Sequence, residues 1–232
     1  MTRVLFVVSA ADGWTLKDGT VHPTGFWAEE FVVPHQTFTE AGWHVDIATP
    51  GGRVPTVDQL SLGMMAGSPA KREQLKGYLE RLRPWLERPL VLADVDQSRY
   101  DLVFYPGGHG PLWDLVSDAD STRIILDSDA AGRPLGLVCH APGILHPITA
   151  ADGTPFVRGR QVAGFTNGEE EAAQLTDVVP FLVEDSLIAA GADYRKGPDQ
   201  ESFVVTDGTL VTGQNPASSA DAARRLLDLL AR

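Results

Sequence analysis

The stretch LGLVCHAPG, residues 135–143, contains an apolar run that ends at the only cysteine of a 232-residue chain. A short continuous apolar run is typical of a strand that is buried on both faces of a parallel sheet. Cys139 and His140 follow this run, and two small residues and a proline come next. A sharp turn of this composition can expose a nucleophile at a strand end. The stretch predicts a parallel sheet with a reactive thiol at its edge; the alternative is a cysteine buried in the core.

Similar apolar runs occur elsewhere in the chain, at residues 3–9 (RVLFVVS) and 100–105 (YDLVFY). The first run precedes a predicted helix over residues 24–41, in which Pro34 should produce a kink or a break. A second strand is predicted over residues 43–48. This β-α-β opening predicts an α/β fold with a doubly wound, mostly parallel sheet.

The middle and the end of the chain contain further predicted helices. Residues 63–86 are mostly polar, and we interpret them as part of a small helical cap inserted over about residues 52–99 of a single domain, residues 1–232. A helix is expected directly after Cys139, and another over residues 167–181. The N-terminal dipole of the helix after Cys139 should lower the pKa of the thiol.

Composition narrows the classes of partner. The chain has 19 Lys and Arg residues against 31 Asp and Glu residues, and its net charge of −12 disfavours nucleic acids and anionic membranes as partners. A single cysteine cannot form an internal disulfide, which fits a reducing cytoplasm. The N-terminal apolar run is too short for a membrane span. We therefore expect a cytoplasmic protein.

A second strand end carries the glycine-rich sequence PGGHG, residues 106–110. In open α/β sheets, sites lie at the carboxyl ends of strands. The backbone N–H groups of Gly108 and His140 could therefore face one oxygen atom and form an oxyanion hole. The alternative is a plain turn in which the glycines supply positive φ angles. The side chain of His109 is expected to line the pocket.

Two acidic positions have both a functional and a structural interpretation. Glu30 shares one helical face with Phe26 and Val33, and a carboxyl group on an apolar face is costly unless it is protonated or paired. The alternative is a partly exposed glutamate at a helix edge. In GFTNGEEEA, residues 164–172, Asn167 can cap a helix with Glu170 at the capping-box position, so these acids could be purely structural.

Several motifs, taken together, resemble the ThiJ/PfpI superfamily and, within it, the heat-shock-chaperone type of glutathione-independent glyoxalase (glyoxalase III). The resemblance covers nearly the whole chain and is weakest over about residues 52–99. It implies a flavodoxin-like fold. The motifs that carry it are TGFWAEE (24–30), DLVFYPGGHG (101–110), LGLVCHAPG (135–143), GFTNGEEEA (164–172) and VTGQNPAS (211–218).

The resemblance also implies roles for individual residues. Cys139 would be the nucleophile and His140 its neighbouring histidine. Glu170 would complete the triad, with Glu169 as the alternative, and a protonated Glu30 would lie against the sulfur. No metal ion and no cofactor is expected, and the protein is expected to be a homodimer. The pocket wall would include His109, Trp14 and Phe165.

The activity implied by the resemblance is conversion of methylglyoxal and similar 2-oxoaldehydes to 2-hydroxy acids such as lactate, through a cysteine thiohemiacetal. The alternatives are a holdase chaperone, an oxidative-stress sensor and a protein deglycase. A cysteine peptidase fits less well, because the Trp-rich loop and the cap would restrict access of a peptide chain. A glutamine amidotransferase would need a histidine and a glutamate late in the chain, and the last histidine is His146.

Overall fold

A seven-stranded sheet forms the centre of the computed structural model, which describes residues 1–16 and 19–231. The apolar runs identified in the sequence form its central strands. The strands, in chain order, are β1 (Arg3–Val7), β2 (Gly13–Thr15), β3 (Val21–Pro23), β4 (His44–Thr49), β5 (Leu90–Val91), β6 (Leu102–Tyr105), β7 (Leu135–Val138), β8 (Gln161–Val162), β9 (Asp193–Tyr194), β10 (Val204–Asp207) and β11 (Leu210–Gly213).

The order of the strands across the main sheet is β10-β11-β7-β6-β1-β4-β5. Every neighbouring pair in this order is parallel except β10–β11, which is a hairpin. Because β6 and β7 are adjacent and parallel, their carboxyl ends meet at one edge of the sheet. This places the PGGHG turn beside Cys139. The predicted α/β, mostly parallel sheet is confirmed.

Helices cover both faces of the sheet. Leu5 of β1 packs in the same cluster as Ile124, whereas Phe6 packs with Phe31 and Leu226 on the other face. Successive side chains of a strand point to opposite faces, so a strand covered on both sides is apolar throughout. The helices are α1 (Ala28–Glu40), α2 (Pro69–Leu86), α3 (Ala119–Ala130), α4 (Asn167–Ala172), α5 (Val183–Ala189) and α6 (Ser219–Leu230).

Three helix predictions differ from the structure. Helix α1 continues through Pro34, which lies inside it, because buried residues on either side, such as Phe31 and Phe38, hold the helix against the sheet. Helix α4 ends at Ala172, and Gln174 has a positive φ of 61°. The segment after the cysteine is only a five-residue 3₁₀ helix, Ala141–Leu145.

The segment interpreted as a cap has two parts. Helix α2 leads from β4 to its parallel neighbour β5 and buries Leu75 and Leu79 in the same cluster as α1. It is therefore a crossover helix rather than an added layer. Short 3₁₀ turns at Gln59–Leu62 and Met64–Ala66 precede it.

Within the described residues, no helix has the length and apolar character that crossing a membrane would require.

Candidate active site

Cys139 follows β7 in a conformation that few residues other than glycine adopt. Its φ is 61°, and the residue is 3% exposed. A positive φ costs free energy and persists only where surrounding contacts enforce it. Here the N–H of Cys139 donates to the carbonyl of Gly213 (2.9 Å), and its carbonyl accepts from the N–H of Phe165 (2.8 Å). Strained backbone of this kind is characteristic of a nucleophile elbow.

The side chains of Cys139, His140 and Glu170 form a continuous hydrogen-bonded chain. Sγ of Cys139 lies 3.1 Å from Nδ1 of His140, and Nε2 of His140 lies 2.8 Å from Oε2 of Glu170. Burial alone would raise the pKa of Glu170, but the charge of His140 and the hydrogen bonds from His109 and His140 hold it well below its usual range. Glu170 is therefore ionised and can only accept hydrogen bonds.

Glu169 has a different environment. Its Oε2 accepts the N–H of Thr166, whose hydroxyl accepts the N–H of Glu169, so the two residues form a capping box at the start of α4. Its Oε1 accepts from Nδ2 of Asn215 (2.7 Å) and from the N–H of Gln200 (2.8 Å). The helix cap is thus Thr166 rather than the predicted Asn167. This shift of one residue makes Glu169 the structural acid and leaves Glu170 for His140.

Glu30 is fully buried beside the cysteine. Burial raises the pKa of Glu30 to about 8, although hydrogen bonds with Cys139 and with the N–H of Gly107 lower it in part. Oε2 accepts the N–H of Gly107 at 2.8 Å, whereas Oε1 has no hydrogen-bond partner of good geometry among the described residues. A carboxyl group with this pKa is mostly protonated at neutral pH. Its proton can then reside on Oε1, and the carboxyl lies close enough to Cys139 for a hydrogen bond with the thiol.

The direction of the cysteine pKa differs from the sequence-based prediction. Burial, and then the negative charge that Glu30 carries once it is ionised, raises the pKa of the Cys139 thiol well above its ordinary value, while the N–H of Gly108 lowers it. The expected helix dipole is weak because only a five-residue 3₁₀ helix follows. The resting thiol is therefore protonated, and a base must remove its proton. Nδ1 of His140 is in position to do this.

The glycine-rich turn after β6 packs closely against the elbow. A Cβ atom at Gly107 would lie 2.9 Å from Cβ of Cys139, and one at Gly108 would lie 2.4 Å from the carbonyl oxygen of Gly25. Only glycine fits at these two positions. The N–H of Gly108 lies close enough to the thiol to lower its pKa, and the described residues include no backbone acceptor for the N–H of His140. The oxyanion hole formed by these two N–H groups therefore stays a prediction.

A second histidine binds the same carboxylate. Nε2 of His109 lies 2.8 Å from Oε1 of Glu170, and the rings of His109 and His140 have centroids 3.8 Å apart. Ligand atoms of these three side chains lie within 4.8 Å of one another, a spacing that a bound metal ion also requires. Each Nε2 already bonds to a carboxylate oxygen, so the three groups satisfy one another. The absence of a metal requirement stays a prediction.

A cavity of about 440 Å³ opens onto the thiol. Cys139, His140, His109 and Phe165 line it. Trp14, which was predicted to line the cavity, does not belong to the described residues that do so. It is buried behind His109, with the centroids of the two rings 5.5 Å apart. Sequence reasoning missed further lining residues in β3, in the first turn of α1 and in the poorly matching segment near residues 52–99, where no motif indicated them; these are His22, Glu29, Asp58, Leu60, Met65 and Lys71.

Comparisons with known proteins show which proteins this chain is similar to. A family model described as ThiJ/PfpI family-like matches residues 21–127. The glutathione-independent glyoxalase HSP31 of Saccharomyces cerevisiae is 28% identical over 98% of both chains.

Two solved structures are similar to this one over nearly the whole chain. The Rapid Encystment Protein 24 KDa of Francisella tularensis is 30% identical with a TM-score of 0.89, and the match covers 99% of each chain. Glyoxalase III from Candida albicans is 25% identical with a TM-score of 0.85, over 98% of this chain and 97% of that one. These likenesses confirm the flavodoxin-like architecture, and with the family model they show that the chain belongs to the ThiJ/PfpI family.

Proposed function

We propose that this protein is a glutathione-independent glyoxalase that converts methylglyoxal and similar 2-oxoaldehydes to 2-hydroxy acids. The observation that carries the proposal is the cysteine Sγ at 3.1 Å from Nδ1 of His140, at the cavity surface and beside the buried carboxyl of Glu30. The names of the yeast and Candida relatives support the same activity. The small-molecule substrate would enter through the cavity.

The first step is thiol addition. His140 removes the proton of Cys139, and Sγ forms a bond to the aldehyde carbon while the electron pair of the C=O bond moves to oxygen. The N–H groups of Gly108 and His140 hold the negative oxygen, and removing one such donor typically costs about 10²–10³ in rate. The His140 cation, stabilised by Glu170 at 2.8 Å, then returns its proton to the oxygen. The product is a hemithioacetal.

The second step is an isomerisation that needs no external oxidant. A base, either His140 or ionised Glu30, removes the hydrogen from the former aldehyde carbon and gives an enediolate. Protonation of the neighbouring carbon then yields a 2-hydroxyacyl thioester. The aldehyde carbon is oxidised and the ketone carbon is reduced within one molecule. A pKa of about 8 suits Glu30 for proton transfer near neutral pH.

The last step is hydrolysis of the thioester. His140, oriented by Glu170, activates a water molecule that attacks the acyl carbon, and the thiolate leaves and recovers a proton. Each general-base step of this kind contributes about 10²–10⁴ in rate. Because Cys139 itself supplies the thiol, none of these reaction steps requires glutathione.

The test is to incubate glutathione-free, metal-stripped protein with methylglyoxal and to measure lactate, with Cys139→Ala as the matched control. We expect lactate from the wild type and none from the variant. No lactate from the wild type, or equal lactate from both, would contradict the proposal. Suppression of aggregation of a denatured client by both proteins, without lactate, would favour a holdase chaperone. We also expect a homodimer, which light scattering on the purified protein measures.

A further inference from the structure

His109 is a buried histidine that the reaction proposed above does not use. It precedes the 3₁₀ turn at Gly110–Leu112, next to Gly108, and it is 9% exposed. Its Nε2 bonds to Oε1 of Glu170, while His140 bonds to Oε2 of the same carboxylate. The two histidines are therefore bound by Glu170 in the same way.

This shared partner determines where the ring protons lie. Glu170 is ionised and offers only acceptors, so Nε2 of each histidine must carry a proton. Burial, and then the charge of His140, lowers the pKa of His109, which keeps its ring neutral. In a neutral ring with a protonated Nε2, Nδ1 has no proton and is a base.

The two Nδ1 atoms have different surroundings. Nδ1 of His140 contacts Sγ of Cys139. Nδ1 of His109 has no hydrogen-bond partner among the described residues. It is also not one of the unpartnered side-chain atoms that the protein shields completely from solvent. The ring also lines the cavity. His109 thus offers a free base to whatever occupies the cavity, in addition to the base that serves the thiol.

We propose that His109 is a second acid–base catalyst, which carries the proton of the hemithioacetal hydroxyl to the oxygen of the neighbouring carbon. This inference rests on the proposed glyoxalase function. Isomerisation moves one proton between carbons and another between oxygens. Nδ1 of His109 takes the hydroxyl proton, becomes cationic against Glu170 and delivers the proton to the ketone-derived oxygen. The ring ends neutral, so the protons balance, while ionised Glu30, which does not share Glu170, handles the carbon proton.

The alternative role for His109 is merely to position Glu170, and two variants separate the roles. His109→Gln retains an N–H donor that can reach Glu170 but lacks the base, and His109→Ala lacks both. We expect kcat for lactate formation to fall about 10²–10⁴-fold in both. Added imidazole should restore part of the activity of His109→Ala. The matched control is His44→Gln, which changes a half-exposed histidine that does not line the cavity and should remain close to wild type.

The rate of Cys139 alkylation by iodoacetamide supplies a readout that a structural role would change. Because His140 and Glu170 remain intact, His109→Gln should alkylate at a rate within about threefold of wild type while kcat falls. If alkylation falls as much as kcat, or if His109→Gln retains more than a tenth of wild-type kcat, the assignment is wrong although the glyoxalase activity stands. A wild type that makes no lactate would instead overturn the proposed function, and this inference with it.

Discussion

Replacing Glu30 by glutamine should remove a large pH dependence from the stability of the protein. The side chain is fully buried, and burial raises its pKa from the ordinary 4.5 to about 8. Glutamine has nearly the same shape and cannot ionise. The variant therefore isolates the free energy of placing a carboxylate at this position.

The direction of the effect follows from proton binding. Below pH 4.5 the carboxyl is protonated in both the folded and the unfolded chain. Between pH 4.5 and about 8 the unfolded chain releases the proton and the folded one keeps it, so rising pH favours unfolding. Above pH 8 both states are ionised and the loss is complete. At about 1.4 kcal/mol per pH unit, this interval corresponds to about 5 kcal/mol.

The assay is urea unfolding of wild type and Glu30→Gln at several pH values between 4.5 and 9. The effects of titrating groups that do not interact with Glu30 cancel in the difference between the two proteins. We expect the free energy of unfolding of the wild type to fall by about 5 kcal/mol relative to the variant across this range. Since whole domains are stable by about 5–15 kcal/mol, the change is readily measured.

Glu73→Gln provides the matched control, because the Glu73 side chain is 77% exposed and its carboxyl is in contact with water in the folded protein. Its difference from wild type should not depend on pH. Parallel stability curves for Glu30→Gln and wild type would refute the reasoning, because they would mean that Glu30 is ionised in the folded protein at neutral pH. In Glu30→Gln we also expect the rate of lactate formation to drop, because the amide cannot transfer protons.

Two other substitutions test how the elbow is built. Gly107→Ala places a Cβ atom 2.6 Å from Oε2 of Glu30, so stability should fall by about 1–3 kcal/mol and lactate formation should fall with it. The control is Gly77→Ala, whose Cβ atom would lie 3.7 Å from the nearest neighbouring atom and should not lower stability. Equal melting temperatures for Gly107→Ala and wild type would contradict the packing argument. Glu170→Gln removes the anion that stabilises the His140 cation, so kcat should fall about 10²–10⁴-fold with little change in thermal unfolding. A variant with the kcat of wild type would exclude a role for the carboxylate.

The parallel sheet and the place of the site could be predicted from the sequence because both depend on local signals. Residues 3–9, 100–105 and 135–138 are apolar throughout, as strands covered on both faces must be. Carboxyl ends of neighbouring parallel strands meet, so a glycine-rich turn after one strand and Cys139 after another had to lie together. The buried face of α1 likewise indicated Glu30 without any long-range information.

The environment of the site could not be predicted in the same way. The choice between Glu169 and Glu170 depends on whether Thr166 or Asn167 caps α4, and both residue types cap helices well. The pKa of Cys139 depends on burial and on the charge of Glu30, which is distant in sequence. A motif resembling a nucleophile elbow suggests a low pKa for the cysteine, whereas burial of the thiol beside a carboxyl raises that pKa.

The pair of histidines on Glu170 restricts the order in which protons can move. Their ring centroids are 3.8 Å apart, and the charge of His140 lowers the pKa of His109 after the larger effect of burial. Two cations at this distance repel each other, and one carboxylate cannot neutralise both. His109 can therefore accept a proton only after His140 has returned the one it took from the thiol. Addition of the thiol must then be complete before isomerisation of the adduct begins. In this order one buried carboxylate, Glu170, can stabilise first the His140 cation and then the His109 cation.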